Sequence, residues 1–448
     1  MGLEIIPTAP EDRSPTVNTT SRAPAPYRFP STALLYTDTI LLFRNFLFLP
    51  WIVFPLNTSN KRGELYLWSA GNLFTLFLHV VFIIVGIAGL GLIPLWLRLP
   101  GGLWLVIAGL YWAVVYALAW ALNQTPEGEL ISSEPAMKEK EGEKWLFVNG
   151  VMAGRWWVQS AIDELSRRFG RPVDAIHNRT FGVVLDLVQC LIQRDLGLTS
   201  GCVRNTYKQL RTFLLMRKPE NRDEWRYSKV VVVAHSQGAL VLSLAIDMLL
   251  ADVADEVLQR LEILITKYTG YDISYTFGCA ANHFNNPPNT YTPESGKAIR
   301  FPTIKHIEHY SNEFDFVCRF GVLAYHPGPR AAAAAGNNQE NNRLERRRWL
   351  SGAPLIEQDA HHDAGIWDNQ YAGKLFMRPK QGGHQFVMHY LDEMFKGGAG
   401  DDDDDDDEPV FVPAEAAKKD AAAGLVEKTS LPRTSRLWSY RAGRVPAD

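Results

Sequence analysis

The chain has 448 residues, of which 46% are hydrophobic and 21% are charged, with a formal net charge of −3. This length accommodates one large domain with accessory segments. No concentrated basic region lies outside one short run, so nucleic acid is not expected as a partner. The cysteines are scattered without CxxC or metal-ligand spacing, which predicts free thiols in a reducing compartment and no metal site: Cys190, Cys202, Cys279 and Cys318.

The first 62 residues divide into a polar and an apolar part. Residues 1–33 are rich in Pro, Thr and Ser and lack a charged-then-apolar start, so we expect a disordered segment without a cleavable signal peptide. Residues 34–62 begin with an apolar run, which is interrupted by Asp38, Arg44, Asn45, Pro50 and Pro55. We interpret this segment as interfacial or re-entrant. If it spanned the bilayer, the orientation of the following domain would invert.

Two long apolar runs predict a transmembrane helical hairpin over residues 73–122. Residues 73–97 contain one histidine and no formal charge, and residues 103–122 contain no charge. Each run matches the roughly 20 residues that a helix needs to cross about 30 Å of hydrocarbon. Two buried helices of a soluble core are the alternative. Small residues recur every four positions in the second run, which predicts a smooth face that packs on the first: Gly109, Ala113, Ala117 and Ala121.

The basic residues around the hairpin indicate its orientation. Arg44, Lys61 and Arg62 precede it, whereas the turn between its helices offers only Arg98. The positive-inside bias therefore favours a cytosolic N-terminus and a cytosolic domain after the hairpin. The endoplasmic reticulum is the default expectation for a eukaryotic protein with a non-cleaved hairpin.

A polar linker at residues 123–143 leads into an α/β domain, which we expect over residues 144–396. Apolar runs of strand length alternate with helix-period patterns, which predicts a mostly parallel sheet flanked by helices. Strands are predicted at residues 145–148, 172–176, 273–277 and 304–310. One intervening helix has an apolar face formed by Val184, Leu187, Val188 and Leu191.

The most informative segment of this domain is residues 229–250, KVVVVAHSQGALVLSLAIDMLL. Four valines predict a strand that is buried on both faces, and small residues around Ser236 separate it from a helical pattern. A strand, a sharp turn with a serine and a helix form the nucleophile elbow of α/β-hydrolases. The elbow pattern is Gly-x-Ser-x-Gly, and this chain has Ala234 at its first position. A small side chain satisfies that position, so we expect Ser236 to be the nucleophile.

A serine nucleophile needs a base and an acid, which follow it in the order acid, then base. Asp315 lies just past the strand at residues 304–310 and is the expected acid, with Glu313 as its rival. His384 follows two glycines and precedes a helical pattern, so it is the expected base. The rival histidines are His361, His362 and His389.

Two groups are expected to stabilise an oxyanion. One is the amide of Gln237, directly after the nucleophile, and the other is the backbone of Asn149, Gly150 and Val151 after the first strand. Many α/β-hydrolases carry His-Gly where this chain carries Asn-Gly. An ordinary turn at the end of a strand is the alternative interpretation.

Two further segments carry unusual composition. Residues 327–381 form an insertion between acid and base, with an alanine run and an arginine-rich piece at 343–350. It is predicted to be a disordered surface insertion, and a lid that touches anionic lipid headgroups is the alternative. Residues 397–448 include seven consecutive aspartates and are predicted to be a disordered acidic tail, since like charges repel.

The motifs AHSQG, YTFG, NEFDFV and GGH stand in an order that resembles the lipase branch of the α/β-hydrolases. The longer strings FVNGV, GRPVDAIHNRTFG, CLIQRD and AANHFNNP are similar to uncharacterised, membrane-anchored, lipase-like hydrolases of filamentous fungi. The resemblance covers residues 144–396. It implies an α/β-hydrolase fold and a triad of Ser236, Asp315 and His384. Substrate-lining positions are expected at His177, His235, Asn282 and His283, and these side chains could equally be structural polar groups.

The expected function is therefore that of a membrane-anchored serine hydrolase that cleaves carboxylic esters, with lipid acyl esters as the leading substrates and the bilayer as a partner. No metal or organic cofactor is implied. A catalytically silent hydrolase fold that serves as a membrane-tethered interaction module is one alternative, motivated by Ala234 and Asn149. A thioesterase or deacylase of lipid-modified proteins is another, because the same triad serves that reaction.

Overall fold

Three apolar helices near the N-terminus precede a sheet with helices on its faces. The computed structural model describes residues 30–56, 60–96, 98–126, 128–258, 273–291, 299–304, 306–326, 371–395, 412–413, 435, 437 and 440–444. The predicted disordered segment at residues 1–33, the insertion up to residue 370, His361, His362 and the aspartate run lie wholly or mostly outside these residues. The predicted class, mixed α/β with a mostly parallel sheet flanked by helices, is confirmed.

The sheet has eight strands in the order β1-β3-β2-β4-β5-β8-β9-β10, and a separate hairpin pairs β6 with β7. Neighbouring strands from β3 to β9 run parallel, while the edge strands β1 and β10 are antiparallel to their neighbours. The valines of β4 are buried because helices cover both faces of the sheet. The strands are β1 (Leu130–Ser132), β2 (Glu143–Val148), β3 (Val173–Ile176), β4 (Lys229–His235), β5 (Ile273–Phe277), β6 (Pro288–Tyr291), β7 (Ile299–Pro302), β8 (His306–Asn312), β9 (Lys374–Arg378) and β10 (Val412–Pro413).

The helices of the α/β domain follow its strands as the pattern predicts. Helix α5, for example, buries Val158, Ile162 and Leu165 completely, which are spaced for one helical face. Two π-helical segments, Ile192–Leu196 and Phe386–Leu391, extend this set. The helices are α5 (Arg155–Phe169), α6 (Val183–Leu191), α7 (Gly201–Leu215), α8 (Gln237–Asp252), α9 (Asp255–Leu258), α10 (Phe316–Phe320), α11 (Val322–Tyr325) and α12 (Asp392–Met394).

Three predicted boundaries are wrong because short strands leave little trace in a hydropathy pattern. Strand β1 lies within the predicted linker at residues 123–143, and β9 lies within the predicted insertion at 327–381. Part of the predicted disordered tail at 397–448 also belongs to the domain. There β10 pairs with β9, and the side chains of Leu437 and Tyr440 are fully buried. Each of these segments gains its stability from long-range pairing rather than from its own sequence.

The apolar N-terminal helices are α1 (Ser31–Asn45), continued by a 3₁₀ segment (Phe46–Ile52), α2 (Ala70–Gly91), α3 (Ile93–Trp96) and α4 (Gly101–Asn123). Three stretches are long and apolar enough to cross a membrane by length and composition: Ser31–Ile52, Ala70–Leu95 and Gly101–Asn123. The two predicted hairpin helices are thus present. The segment that we interpreted as interfacial, residues 34–62, also begins with a helix of spanning length.

Helices α2 and α4 pack on the α/β domain rather than standing apart from it. A side chain at Gly86 would lie 2.8 Å from Val184 Cβ, and one at Gly182 would lie 2.5 Å from Phe82 Cγ, so glycines permit close approach. The Nε1–H groups of Trp156 and Trp157 both donate to Asn72 Oδ1 at 3.1 Å. The domain is therefore fixed to the hairpin by direct contacts.

Most of the predicted small-residue face of α4 points away from α2, although Ala121 packs against the cluster that contains Leu78 and Phe82 of α2. Gly109, Ala113 and Ala117 are exposed, whereas Val115 and Ala119 are fully buried. On α2 it is Gly89 that provides close approach, since a side chain there would lie 2.6 Å from the ring of Tyr111. At this point a large side chain of α4, Tyr111, packs on a glycine of α2, which is the reverse of the expected arrangement.

Helix α1 is joined to the domain by a buried ion pair between Asp38 and Arg194, whose side chains are each 1% exposed. The guanidinium also donates to the carbonyl oxygens of Ala280 and Phe320, and Asp38 accepts from Tyr325 Oη at 3.1 Å. A charge that is removed from water needs such partners. Asp38, one of the polar residues that suggested an interfacial segment, is therefore a structural contact of the domain.

We expect Asp38→Ala to lower the free energy of unfolding by about 3–5 kcal/mol, because it leaves the Arg194 guanidinium buried without its counter-charge. The matched control is Asp252→Ala, which removes a pair with Arg211 whose side chains are each 43% exposed, and its cost should be about 0–1 kcal/mol. Thermal and chemical unfolding in detergent measures both. Equal effects of the two substitutions would contradict the structural role of Asp38.

Candidate active site

Ser236 stands on the sharp turn between β4 and α8, at the carboxyl end of the parallel strands. Its φ of 56° and ψ of −124° lie in a region that side-chain-bearing residues rarely adopt. The surrounding backbone holds it there, since the Ser236 amide donates to the Phe277 carbonyl at 2.9 Å and its carbonyl accepts from the Ala239 amide at 3.0 Å. Such strain lifts the hydroxyl above the sheet.

The elbow motif has two glycine positions, and this chain has alanine at the first and glycine at the second. The packing around the turn explains this difference. A side chain at Gly238 would lie 2.7 Å from the carbonyl carbon of Val148, so only glycine lets α8 pack on the end of β2. Ala234 is completely buried within β4 and pairs with Val148 and Thr276. It has ordinary strand geometry, so alanine causes no backbone strain at the first position of the motif.

His384 lies between Ser236 and Asp315. Its Nε2 is 2.9 Å from Ser236 Oγ, and its Nδ1 is 2.8 Å from Asp315 Oδ2. Asp315 also accepts from Tyr390 Oη at 2.6 Å and from the Val317 amide at 2.8 Å. The structure thus brings the expected nucleophile, acid and base together into one hydrogen-bonded chain.

The charge state of Asp315 determines which ring nitrogen of His384 carries the proton. Burial by itself would raise the pKa of its carboxyl, but the neighbouring His384 and the donors Tyr390 and Val317 outweigh burial and lower that pKa. The ionised carboxylate can only accept, so Nδ1 of His384 carries a proton and donates it. Nε2 is then free to accept from the Ser236 hydroxyl, which is the arrangement of a general base.

The rivals of Asp315 and His384 have other partners. Glu313 accepts from the Lys380 amide at 2.7 Å. His389 accepts from the Gln385 amide through Nδ1 at 2.9 Å, and its Nε2 lies 2.6 Å from the Pro55 carbonyl oxygen. Both ring nitrogens of His389 are therefore engaged, and they stabilise the loop that carries His384.

Gly278 makes room for the imidazole of His384. It has a φ of 58°, and a side chain there would lie 2.7 Å from His384 Cε1 and 2.9 Å from Nδ1. The YTFG string thus ends on a glycine for two reasons, backbone conformation and the space that the base occupies.

The loop after β2 passes directly over the nucleophile. A side chain at Gly150 would lie 2.5 Å from Ser236 Cβ and 3.1 Å from its Oγ, so the backbone of residues 149–151 borders the hydroxyl. Gln237 is the first residue of α8, and its amide lies at the positive end of the helix dipole. Both groups that were expected to stabilise an oxyanion therefore lie beside Ser236.

Asn149 fixes the shape of this loop. Its Nδ2 donates to the Asn178 carbonyl at 2.8 Å and to the Gly150 carbonyl at 3.1 Å, and its Oδ1 accepts from the Asn178 amide at 2.8 Å. The side chain of Asn178 in turn donates to Gln237 Oε1 at 2.8 Å. Asparagine at position 149 therefore has a clear structural role, although histidine is common there in α/β-hydrolases.

Met152 is held from two sides by residues that sequence reasoning missed. It has a φ of 62°, its amide donates to Asp186 Oδ2 at 3.0 Å, and its carbonyl oxygen lies 2.8 Å from Nε2 of His79. Because a carbonyl oxygen can only accept, Nε2 of His79 carries the proton and donates it. His79 belongs to α2, and its ring stacks on Trp157 at 5.3 Å. Helix α2 thus positions the loop that passes over Ser236.

A signal for His79 was available. It is the single histidine of a 25-residue apolar run, and polar side chains in such runs usually have a specific partner. The sequence does not indicate which loop that partner lies on, because Met152 contributes only a backbone carbonyl.

Each of the expected substrate-lining residues has a hydrogen-bond partner within the protein. His235 lies behind the base, with its Nε2 2.8 Å from the His384 carbonyl oxygen and the two rings 4.8 Å apart. His177 contacts the Ala153 carbonyl oxygen at 3.1 Å. Asn282 donates to the Arg194 carbonyl at 2.9 Å, and His283 bonds to Asp247 at 2.8 Å. These four side chains support the loops around the site, and their role in substrate binding stays a prediction.

No metal site emerges from the side chains that the structure describes, where no group of three or more His, Cys, Asp or Glu could hold an ion. All four cysteines are free thiols. Cys318 Sγ lies 3.4 Å from Asp315 Oδ2 and contributes to the buried surroundings of the acid.

A comparison of the chain with protein-family models found no matching family, and a comparison with curated proteins found no significant match.

We expect His235 to make stability depend on pH. Burial, together with the nearby His384, lowers the pKa of His235 to about 3, against about 6.5 in an unfolded chain. Between these values the unfolded state binds a proton that the native state does not, so stability rises with pH. His235→Gln should therefore reduce the slope of unfolding free energy against pH by up to about 1.4 kcal/mol per pH unit between pH 4 and 6.

The matched control is Ser243→Ala, which changes a buried side chain of α8 that does not titrate and should keep the wild-type slope. Unfolding in detergent at several pH values measures both. A wild-type slope in the His235→Gln variant would contradict a neutral, buried His235.

Proposed function

We propose that the chain is a membrane-anchored serine hydrolase with an α/β-hydrolase fold, which cleaves carboxylic esters through an acyl-enzyme on Ser236. The observation that supports it is the hydrogen-bonded chain from Ser236 Oγ through His384 to Asp315, at the carboxyl end of a parallel sheet. Ligands and catalytic groups of open α/β sheets concentrate at this edge. The strained serine turn adds to the argument, since strain of this kind clusters at functional sites.

The residues have distinct roles in the proposed reaction. Ser236 Oγ attacks the ester carbonyl carbon while His384 Nε2 takes its proton, and Asp315 stabilises the imidazolium that forms. The amides of Gln237 and of the loop at residues 150–151 donate to the carbonyl oxygen as it becomes negative. His384 then gives its proton to the departing alcohol, and the acyl-enzyme remains. Water, activated by His384 in the same way, releases the carboxylic acid and restores Ser236.

Lipid acyl esters are the proposed substrate class because the site is built against the apolar N-terminal segment. The Gly383 amide, next to the base, donates to the Trp51 carbonyl at 2.9 Å, and Gln385 donates to the Ile52 carbonyl at 3.1 Å. His79 of α2 borders the other side of the site. Esters that partition into a bilayer would therefore be concentrated beside Ser236. A cytosolic orientation of the domain, with the endoplasmic reticulum as the default membrane, belongs to the same proposal.

A catalytically silent interaction module is the competing function. The two residues that suggested it are Ala234 and Asn149. Ala234 lies in relaxed strand geometry, and the side chain of Asn149 makes four hydrogen bonds that order the loop over Ser236. Neither position therefore disturbs the arrangement that a serine hydrolase requires.

We expect the folded protein to react with a fluorophosphonate probe at Ser236, because the probe reports a serine that is activated by a neighbouring base. Ser236→Ala should abolish both labelling and hydrolysis of a short-chain ester, while the control Ser243→Ala should retain both. Absence of labelling in a preparation whose melting temperature proves it folded would argue for the silent module. Labelling that persists in Ser236→Ala would place the reactive serine elsewhere.

We expect His79→Phe to lower kcat about tenfold with little change in KM. The substitution removes the hydrogen bond to the Met152 carbonyl, of about 1.4 kcal/mol, and so loosens the loop at residues 149–151 that borders the Ser236 hydroxyl. The ester is bound as before, and only the stabilisation of its transition state weakens. His79→Gln keeps a donor that can reach the Met152 carbonyl and should recover much of the rate. An unchanged kcat in His79→Phe would show that the membrane helix does not position this loop.

A further inference from the structure

Helix α6 and the π-helical segment after it expose a continuous apolar face. Between residues 183 and 198 every exposed side chain is a large aliphatic one, with exposed fractions of 38–57%. We call this set the outer face of α6: Leu187, Val188, Leu191, Ile192, Leu196 and Leu198. Three of the four residues of the apolar face identified in the sequence, Leu187, Val188 and Leu191, are therefore exposed rather than packed on the sheet.

The polar residues of the same segment point inward. Asp186, Gln193 and Arg194 are at most 2% exposed. Asp186 accepts from Met152 and from Thr180 Oγ1 at 2.6 Å, and Gln193 contacts Ser200 Oγ at 2.6 Å. Arg194 pairs with Asp38. The segment is therefore inverted, with its polar groups inside the protein and its leucines outside.

An inverted helix is costly in water, where exposed apolar patches of this kind are rare. It is favourable where the surrounding medium is hydrocarbon, because charged and amide groups are then expelled towards the protein interior. The distribution of polar and apolar residues on α6 therefore indicates that this helix faces hydrocarbon.

The outer face of α6 also continues the outer sides of the candidate spans. Helix α6 packs on α2 at Gly86 and Val184, and the π-helical segment packs on α1 through Arg194 and Asp38. On α2 the exposed neighbours are again aliphatic, including Ile84 and Ile87, at 64% and 60% exposure. A bilayer that surrounds α2 would therefore also reach α6, because the two helices pack together.

We propose that the outer face of α6 is immersed in the hydrocarbon of the bilayer, so that the catalytic domain is partly embedded and not merely tethered. The occupant of the face is lipid acyl chain, because the exposed sides of α2 and α4 need the same cover. This inference rests on the proposed insertion of α2 and α4 in a membrane. It does not depend on the proposed chemistry.

The test places an environment-sensitive fluorescent amino acid at Leu191, in the full-length Ser236→Ala protein reconstituted into phosphatidylcholine vesicles. Phosphatidylcholine with brominated acyl chains should reduce its emission, and aqueous iodide should not. The matched control is Lys208 on α7, an exposed position where iodide should quench and brominated lipid should not. A second probe at Leu196 covers the case in which the first variant does not fold.

Quenching by iodide at both probe positions would overturn the proposal, because the face would then be in water. A second outcome would also overturn it: neither agent quenches the probe, and position 191 of one copy can be cross-linked to position 191 of another. A second copy of the protein would then cover the face. Since Ser236 is absent from these samples, the result is independent of whether the enzymatic proposal stands.

Discussion

The geometry of the site depends on one constrained residue, Ser236, held at a positive φ that costs about 1–3 kcal/mol for a residue with a side chain. Such a conformation persists only when its surroundings leave no alternative. Here the carbonyl of Phe277 at the end of β5 accepts from the Ser236 amide. Gly238 allows α8 to start against the end of β2, and Gly150 allows the loop after β2 to pass above the hydroxyl. The same contacts bring the base within hydrogen-bonding distance. The strained backbone of Ser236, the close packing around it and its hydrogen bond to His384 therefore depend on the same contacts.

Local patterns in the sequence predicted the parts of this arrangement that are local. The valine run of β4, the small residues at the turn and the helix period of α8 led to Ser236. Chain order and flanking glycines led to Asp315 and His384. The structure brings these three together. Their convergence is a property of the parallel sheet, since strands that run side by side present their carboxyl ends at one edge.

The parts that sequence reasoning missed are contacts between the N-terminal segment and the loops of the site. His79 bonds to a backbone carbonyl, and such a partner has no residue signature. Glu64, whose pKa is raised by burial, accepts from the Val387 amide at 2.9 Å, close to the base. The inversion of α6 was missed for a related reason. Helical periodicity reveals that a helix has an apolar face, and says nothing about whether protein or lipid covers it.

The buried pair between Asp38 and Arg194 has a consequence for how the protein is made and processed. The two residues are separated by 156 positions in the sequence, so Asp38 of α1 is synthesised long before the arginine that neutralises its charge. A product that begins after the hairpin would leave the guanidinium unmatched in the interior and the loop over Ser236 without its support from α2. We therefore expect no functional soluble fragment from proteolysis or from an internal start codon. On the proposed function, separation of the domain from its apolar helices would also disrupt the arrangement around Ser236.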